Sequence, residues 1–438
     1  MNQVFANMGW LLGGRGFNAV LSLVYLAIAA RTLGTDGFGH FALIIALGQA
    51  VTGFSSFQTW QFIVRWGADP DNPGVDLQRA LEATGFAVAL DGVSVAVGTL
   101  ASAVLVLTAP LWLDVPPHLM WLTFIYCVIS LLTIRTTPTG MLRLHSEYGK
   151  ATWAEAVQPI IRTTGAGLAL WLMPDVTGFI LAFAASEIGT AIALWVVAVR
   201  VQPVSLASIS LKAIPARHKD AWRFVLSTNM SGSLAVAGKQ VMILLVGTFG
   251  GAYLAGGFRI ANQLGVALIA LAQTISKAIL PELVQSRDGA VEIARRMANI
   301  AAVAGVAAVV SAILFGRPGI ALIAGEEFTG FYWAMIILSI AGAVELVGAS
   351  LESLLISAGK AHVAFLVRLF PTILALLMLE MAIDWKGAQG AGFAVLGSSV
   401  LTVVGFYLAI VNLKQFRLVV DEPEDAATPP TQPPNTSA

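Results

Sequence analysis

Residues 9–62 read GWLLGGRGFNAVLSLVYLAIAARTLGTDGFGHFALIIALGQAVTGFSSFQTWQF. Two apolar runs, 9–31 and 38–62, flank a short polar turn, Leu33-Gly34-Thr35-Asp36-Gly37. A helix of about 20 apolar residues spans a bilayer, so each run is long enough to cross once, and the turn sends the chain back. Lipid admits only helices or closed barrels, because every backbone N–H and C=O must be paired internally. These runs are far too long for barrel strands. The stretch therefore places the chain in the all-α, polytopic membrane class.

The pattern continues through ten further runs: 83–109, 118–138, 153–173, 178–200, 222–247, 252–280, 298–316, 328–357, 362–382 and 388–412. About twelve transmembrane helices are expected, with no soluble domain inserted between them. Composition agrees. Hydrophobic residues make up 57% and charged residues 11%, against about 25% charged in ordinary soluble domains, and the mean hydropathy is +0.80. A net charge of +0 offers no basic field for nucleic acid. Cys127, the only cysteine, excludes an intrachain disulfide and a Cys-rich metal site. Met1 to Met8 hold no Lys or Arg and lead into no small-residue cleavage site, so the first run is expected to be a retained span.

Orientation follows from the asymmetry of Lys and Arg between the two sides. With the N-terminus in the cytoplasm, seventeen Lys and Arg residues fall in inside segments, among them Arg65, Arg135, Arg143, Arg200 and Arg368. Only Arg31, Arg317 and Lys386 fall outside. Both termini are therefore expected in the cytoplasm. Many tryptophans, including Trp10, Trp66, Trp121, Trp171, Trp333 and Trp385, fall near span ends, as interfacial belts do. The tail from Asp421 is acidic and then rich in Pro and Thr, a composition that favours disorder.

A faint repeat runs through the chain. Gly34, Gly39 and Phe41 around the first turn match Gly251, Gly256 and Phe258 around the turn after span 7, at a shift of 217. Parallel six-span halves with substrate handled between them are a transporter plan. The expected organisation is an N-terminal six-helix lobe (1–200), a cytoplasmic linker (201–221), a C-terminal six-helix lobe (222–413) and a cytoplasmic tail (414–438).

Charges inside spans are costly and are functional candidates by default. The embedded cations are Arg15, Arg162, Lys239, Arg259 and Lys277; the anions are Asp91, Glu155, Glu187, Glu345, Glu352 and Glu380. Lys277 and Glu155 lie within about a turn of an inner span end, where snorkelling is the plain alternative. Arg162 and Lys239 lie deeper, where the alternative is an internal ion pair. Polar residues also form stripes on one helix face: Arg15, Asn18, Ser22 and Tyr25 on span 1; Gln49, Thr52, Ser56 and Thr59 on span 2; Arg259, Gln263, Gln273 and Lys277 on span 8. Such residues can simply join helices. Their concentration at the start of each half instead suggests a wet central cavity between the lobes. Guanidinium groups there would hold phosphate oxygens bidentately, which points to an anionic cargo. Asp91, Glu187, Glu345 and Glu352 are candidates for a coupling-ion site or for pairing with the embedded cations. Pro159 and Pro371 are expected to kink spans 5 and 11.

Enzyme signatures are missing. The five histidines, His40, His118, His145, His218 and His362, form no metal-ligand pattern, and no Walker-type phosphate loop occurs. No cofactor is expected.

Taken together, the chain resembles the polysaccharide flippases of the multidrug/oligosaccharidyl-lipid/polysaccharide (MOP) exporter superfamily. AARTLGTDGFGHFAL (Ala29 to Leu43) is similar to the family's first turn, GGFRIANQL (Gly256 to Leu264) to the matching second-half segment, and ILPELVQ (Ile279 to Gln285) to the end of its eighth span. The likeness runs from about residue 8 to 413. It implies a flippase that moves undecaprenyl-pyrophosphate-linked oligosaccharides, such as O-antigen or exopolysaccharide repeat units, to the outer leaflet of the bacterial inner membrane by alternating access. It also implies a polyprenyl-pyrophosphate-linked glycan and membrane lipids as partners, with a polysaccharide polymerase or export complex acting downstream. Arg15, Arg162, Lys239 and Arg259 would meet the pyrophosphate or acidic sugars. The peptidoglycan lipid flippases usually have fourteen spans, so lipid II fits this chain less well. A multidrug antiporter of the same superfamily would favour an acidic cavity. A membrane-embedded polysaccharide polymerase or ligase would carry a large outer loop, which this chain lacks.

Overall fold

The computed structural model describes residues 2–68, 74–217, 221–284, 290–357 and 360–420. Its helices are α1 (Asn2–Ser55), α2 (Thr59–Gly67), α3 (Leu77–Thr108), α4 (Met120–Leu132), α5 (Thr136–Leu144), α6 (Tyr148–Leu172), α7 (Val176–Val201), α8 (Ala213–Arg217), α9 (Ala221–Val284), α10 (Ala290–Ile323), α11 (Tyr332–Ser357), α12 (Ala361–Leu377), α13 (Leu379–Lys386) and α14 (Ala388–Val420). No strand occurs among the described residues; Ala68 and Val75 form an isolated bridge. The protein is an all-α polytopic membrane protein. Eight of its described helices are long and apolar enough to cross a membrane, or nine if the bent α12–α13 pair is one span.

Two of those stretches contain a break. Gly34 in α1 adopts φ 64° and Gly251 in α9 adopts φ 78°, each an isolated non-helical residue. Positive φ is strained for any residue with a Cβ, which explains glycine at both points. The break in α1 is a reversal. The rings of Tyr25 and Phe41 lie 6.2 Å apart, whereas sixteen residues of unbroken helix would separate them by about 24 Å. In α9, Met242 and Phe258 likewise line one cavity. The polar turns expected after spans 1 and 7 are thus tight hairpins, and their shared offset of 217 is a structural repeat as well as a textual one.

Sequence signals account for the other helix ends. Asp76 caps α3, its Oδ1 accepting from the backbone N–H of Gln78 at 2.9 Å and of Arg79 at 3.2 Å. Asp175 caps α7 through Gly178 at 2.8 Å. The run 118–138 is not one helix: α4 stops at Leu132 and α5 starts at Thr136. Pro159 sits inside α6. Span 11 bends by 50°, but at Met378, between α12 and α13, rather than at Pro371 inside α12. The last helix runs on to Val420, past the expected lobe boundary at 413. The tail beyond it lies outside the described residues.

Rows of apolar side chains face outward, including Leu100, Val104, Leu107 and Leu111 on and just after α3, and Val303, Val306, Val310 and Phe315 on α10. Contiguous exposed patches of this kind are not tolerated in water and suit a lipid surface. The core lies where the two glycine-broken helices cross, and Ala29, Phe38, Ile44, Val246, Ala255 and Phe258 are buried there.

Candidate functional site

The end of the bundle that carries Gly34 and Gly251, here called the hairpin end, is held shut across the two halves of the chain. A Cβ on Gly39 would lie 2.0 Å from the carbonyl oxygen of Ala252, and one on Gly256 would lie 3.0 Å from the backbone of Gly39. Only glycine permits that approach. Arg259 reaches across and donates from Nη1 to the Ala42 carbonyl at 3.1 Å. Arg31 donates to the final carbonyls of α10: Ala321 at 3.1 Å, Leu322 at 2.5 Å and Ile323 at 3.4 Å. These groups have no helical partner and attract a cation. The Asp114 carboxylate accepts from the Ala252 N–H at 2.9 Å, beside the strained Gly251. Phe38 meets Phe328 edge-on at 6.0 Å. At the opposite end the halves meet in an aromatic cluster. Trp66 packs on Phe224 at 5.0 Å, Phe86 on Trp222 at 5.7 Å, and the Arg65 guanidinium lies 4.6 Å from the Phe224 ring.

Two cavities that carry polar groups lie in the halves themselves, the second with a mainly apolar wall. The first, about 220 Å³, is lined by Asn18, Ser22, Arg135, Glu155, Gln158 and Arg162, with Thr190 of α7. Arg162 is half-buried. Its guanidinium rests 3.9 Å from the Phe183 ring centroid and 5.6 Å from that of Tyr25, and its Nε donates to Ser186 Oγ at 3.4 Å. The aromatic faces hold the cation without neutralising it. The Asn18 carbonyl oxygen, buried nearby, has no protein partner. The second cavity, about 160 Å³, is lined by Lys239, Asn262, Glu345, Arg368, Ser399 and Thr402 among others. Ser22 and Lys239 are again separated by 217, so the first helix of each half presents the same position to its own cavity.

Of the five cations singled out in the sequence, the three whose side chains are described do not converge. Arg162 faces the first cavity, Lys239 the second, and Arg259 is engaged between the halves. The side chains of Arg15, Lys277 and Gln273 lie outside the described residues. Asn18 and Ser22 join Arg162. Gln49 and Ser56 are half-buried and Gln263 is exposed. Thr52 and Thr59 join helices within the first half: Thr52 donates to Ser130 at 3.0 Å, and Thr59 bonds Thr136 and Thr137, each at 2.9 Å. Thr137 in turn donates to the buried Asp91. Among the described residues, Arg162, Lys239 and Arg259 make no ion pair within 4.0 Å. Glu352 pairs instead with Arg368 at 2.6 Å, and Glu345 accepts from Ser399 at 3.2 Å. Glu187 is buried and accepts from the Tyr126 hydroxyl at 3.5 Å.

Two residues that sequence reading assigned elsewhere enter the cavities. Arg135 and Arg368 were counted with the inside segments, although each falls within an expected span. Arg135 occupies the break between α4 and α5. The β-branched residues on both sides of Arg135 (Thr133, Ile134, Thr136 and Thr137), followed by Pro138, are the signal that could have marked that break. No group of three or more His, Cys, Asp or Glu that could hold a metal occurs among the described residues.

The model of a family described as polysaccharide biosynthesis protein matches residues 4–287. This chain belongs to the polysaccharide biosynthesis protein family. Its sequence is 25% identical over 336 residues to inner membrane protein YghQ of Escherichia coli (strain K12), covering 75% of this chain and 94% of that one. Among solved structures, the lipid II flippase MurJ in an inward closed conformation matches with a TM-score of 0.71 at 11% identity, covering 95% of this chain and 93% of MurJ. The inward-facing conformation of a multidrug resistance MATE family transporter of the MOP superfamily matches with a TM-score of 0.61 at 15% identity, covering 93% and 96%. The fold is that of the MOP superfamily. Both solved structures are of membrane transporters or flippases, and the likeness to this chain is one of fold.

Proposed function

We propose that this protein is a flippase that carries undecaprenyl-pyrophosphate-linked oligosaccharide repeat units across the bacterial inner membrane, for O-antigen or exopolysaccharide synthesis. Arg162 is the observation that carries this reading. It is a guanidinium with no carboxylate within 4.0 Å among the described residues, half-buried beside a cavity of about 220 Å³ that a second arginine, Arg135, also lines. Paired guanidinium groups in a partly dehydrated cavity suit pyrophosphate oxygens, and Asn18, Ser22 and Gln158 add hydrogen-bonding groups beside them. Arg15, Lys239 and Lys277 complete the proposed anion-binding set, with Lys239 meeting the sugar portion from the second cavity.

Residues 1–200 and 222–413 act, on this proposal, as two six-helix lobes joined by 201–221, twelve spans in all, with both termini and the tail in the cytoplasm. On this proposal the headgroup enters from the cytoplasmic side, once the aromatic contacts of Trp66 with Phe224 and of Phe86 with Trp222 part. The polyprenyl tail stays in the bilayer against the apolar outer rows. A polymerase or export complex would take the unit on the far side.

Deletion of the gene tests the proposal. One surface polysaccharide should disappear while its lipid-linked unit accumulates. Wild-type protein should restore export, and Arg162→Gln at equal membrane abundance should not. Full export by Arg162→Gln would overturn the cationic-pocket reading.

A further inference from the structure

Glu187 lies one residue from the hydroxyl that receives Arg162, and its environment differs from that of a structural carboxylate. It is 5% exposed. Its Oε1 accepts from Tyr126 at 3.5 Å, the Ser130 hydroxyl lies alongside the carboxylate, and Oε2 makes no hydrogen bond within 3.5 Å. Buried polar groups are as a rule satisfied, and even the half-buried Glu352 is paired, with Arg368 at 2.6 Å. Glu187 instead sits in the field of two cations, Arg135 and Arg162, without pairing with either.

We propose that Glu187 is the internal counter-anion of the Arg135–Arg162 cavity, ionised while the cavity is empty and protonated while an anionic headgroup fills it. The proposal rests on reading the cavity as a pyrophosphate site. Charge counting motivates it. Arg135 and Arg162 balance Glu155 and Glu187 when the cavity is empty. A pyrophosphate diester brings two negative charges into a space with little water, where like charges repel strongly. Uptake of one proton from the water that enters with the headgroup removes the nearest repulsion, and its loss as the headgroup departs restores the empty state. Glu155 is the weaker candidate because it is exposed. The other titratable or charged groups facing Glu187 are Tyr25 on α1, Tyr126 on α4, Arg135, Arg162 on α6 and, beyond the two tyrosines, Arg259 on α9.

The test uses the purified full-length protein in detergent and inorganic sulfate, a dianion that does not itself titrate near neutral pH. Sulfate affinity is measured from about pH 5.5 to 8.5, where one linked proton sets a limit of about tenfold per pH unit. Wild-type protein should bind more tightly as pH falls. Glu187→Gln should bind with no pH slope and more tightly than wild type at the upper end, and Glu155→Gln should keep the slope. If Glu187→Gln fails to fold, Tyr126→Phe removes only the hydroxyl donor and should keep a pH slope with a displaced midpoint. A slope that survives in Glu187→Gln, or an undisplaced midpoint in Tyr126→Phe, overturns the Glu187 assignment alone. Sulfate binding that Arg162→Gln leaves unchanged, or no binding by wild type, overturns the pyrophosphate reading beneath it.

Discussion

Gly39 and Gly256 touch backbone to backbone, and they are separated by the same 217 residues that separate Gly34 from Gly251. A Cβ on Gly256 would lie 3.0 Å from both N and Cα of Gly39. The repeat therefore meets itself near the hairpin end, where the two broken helices cross.

That contact gives a graded expectation. Gly39→Ala should lower the thermal stability of the purified protein, by an amount on the order of 1–3 kcal/mol, because its Cβ would meet a backbone carbonyl at 2.0 Å. Gly256→Ala, with 3.0 Å available, should cost less. Equal melting temperatures for the two variants and wild type would contradict the crossing geometry.

Gly34 isolates backbone strain from crowding, since nothing lies within 4 Å of its would-be Cβ. Gly34→Ala should cost about 1 kcal/mol through its positive φ alone. Gly34→Asn should cost as much, since φ 64° with ψ −170° lies outside the left-handed helical region that asparagine tolerates. Unfolding followed by size-exclusion fluorescence would measure both, and an alanine variant as stable as wild type would remove the strain argument.

Opening of the hairpin end can be blocked chemically. Cysteines replacing Phe38 and Phe328, whose rings lie 6.0 Å apart, should crosslink with a short bifunctional reagent in a Cys127→Ala background. Crosslinking should stop polysaccharide export, and a cleavable reagent should restore it on reduction. Export that continues through the crosslink would mean that this end does not open.

Water access should divide two residues of the same polar pattern. Ser22→Cys should react with a water-soluble thiol reagent because it lines the first cavity. Thr52→Cys should be protected, since Thr52 is turned toward Ser130 at 3.0 Å. The reverse result would place the cavity on the other side of α1.

The Glu352–Arg368 pair at 2.6 Å predicts rescue. Either single neutralisation leaves a partly buried charge unpaired and should reduce membrane abundance, whereas the double Gln variant should recover most of it. Additive losses would show that the two residues act separately.

Much of this was legible in the sequence. Run length and composition gave the membrane class, and glycine punctuation gave both hairpins, because only glycine relieves a positive φ. Asn18, Ser22 and Arg162 stand out in the sequence as polar residues within spans, and the fold brings them to one cavity. Periodicity, however, reports that residues share a face and not what the face meets. Thr52 and Thr59 kept helical spacing with Gln49, yet they bond α4 and α5 within one half. Arg259 looked like a cavity cation until its acceptor, a backbone carbonyl with no sequence signature, came into view. Arg135 was missed because it interrupts a helix that its apolar neighbours made look continuous.

In a symmetric dimer of identical subunits, every residue placed beside the two-fold axis appears twice, so a charge there faces its own copy. A tandem chain is free of that constraint. Position 42 is alanine where position 259 is arginine, and the arginine bonds the carbonyl of its own counterpart at 3.1 Å. One cation stands beside the crossing where two would repel. The same divergence sets serine at 22 against lysine at 239, so two cavities built on one plan are left with different chemistry.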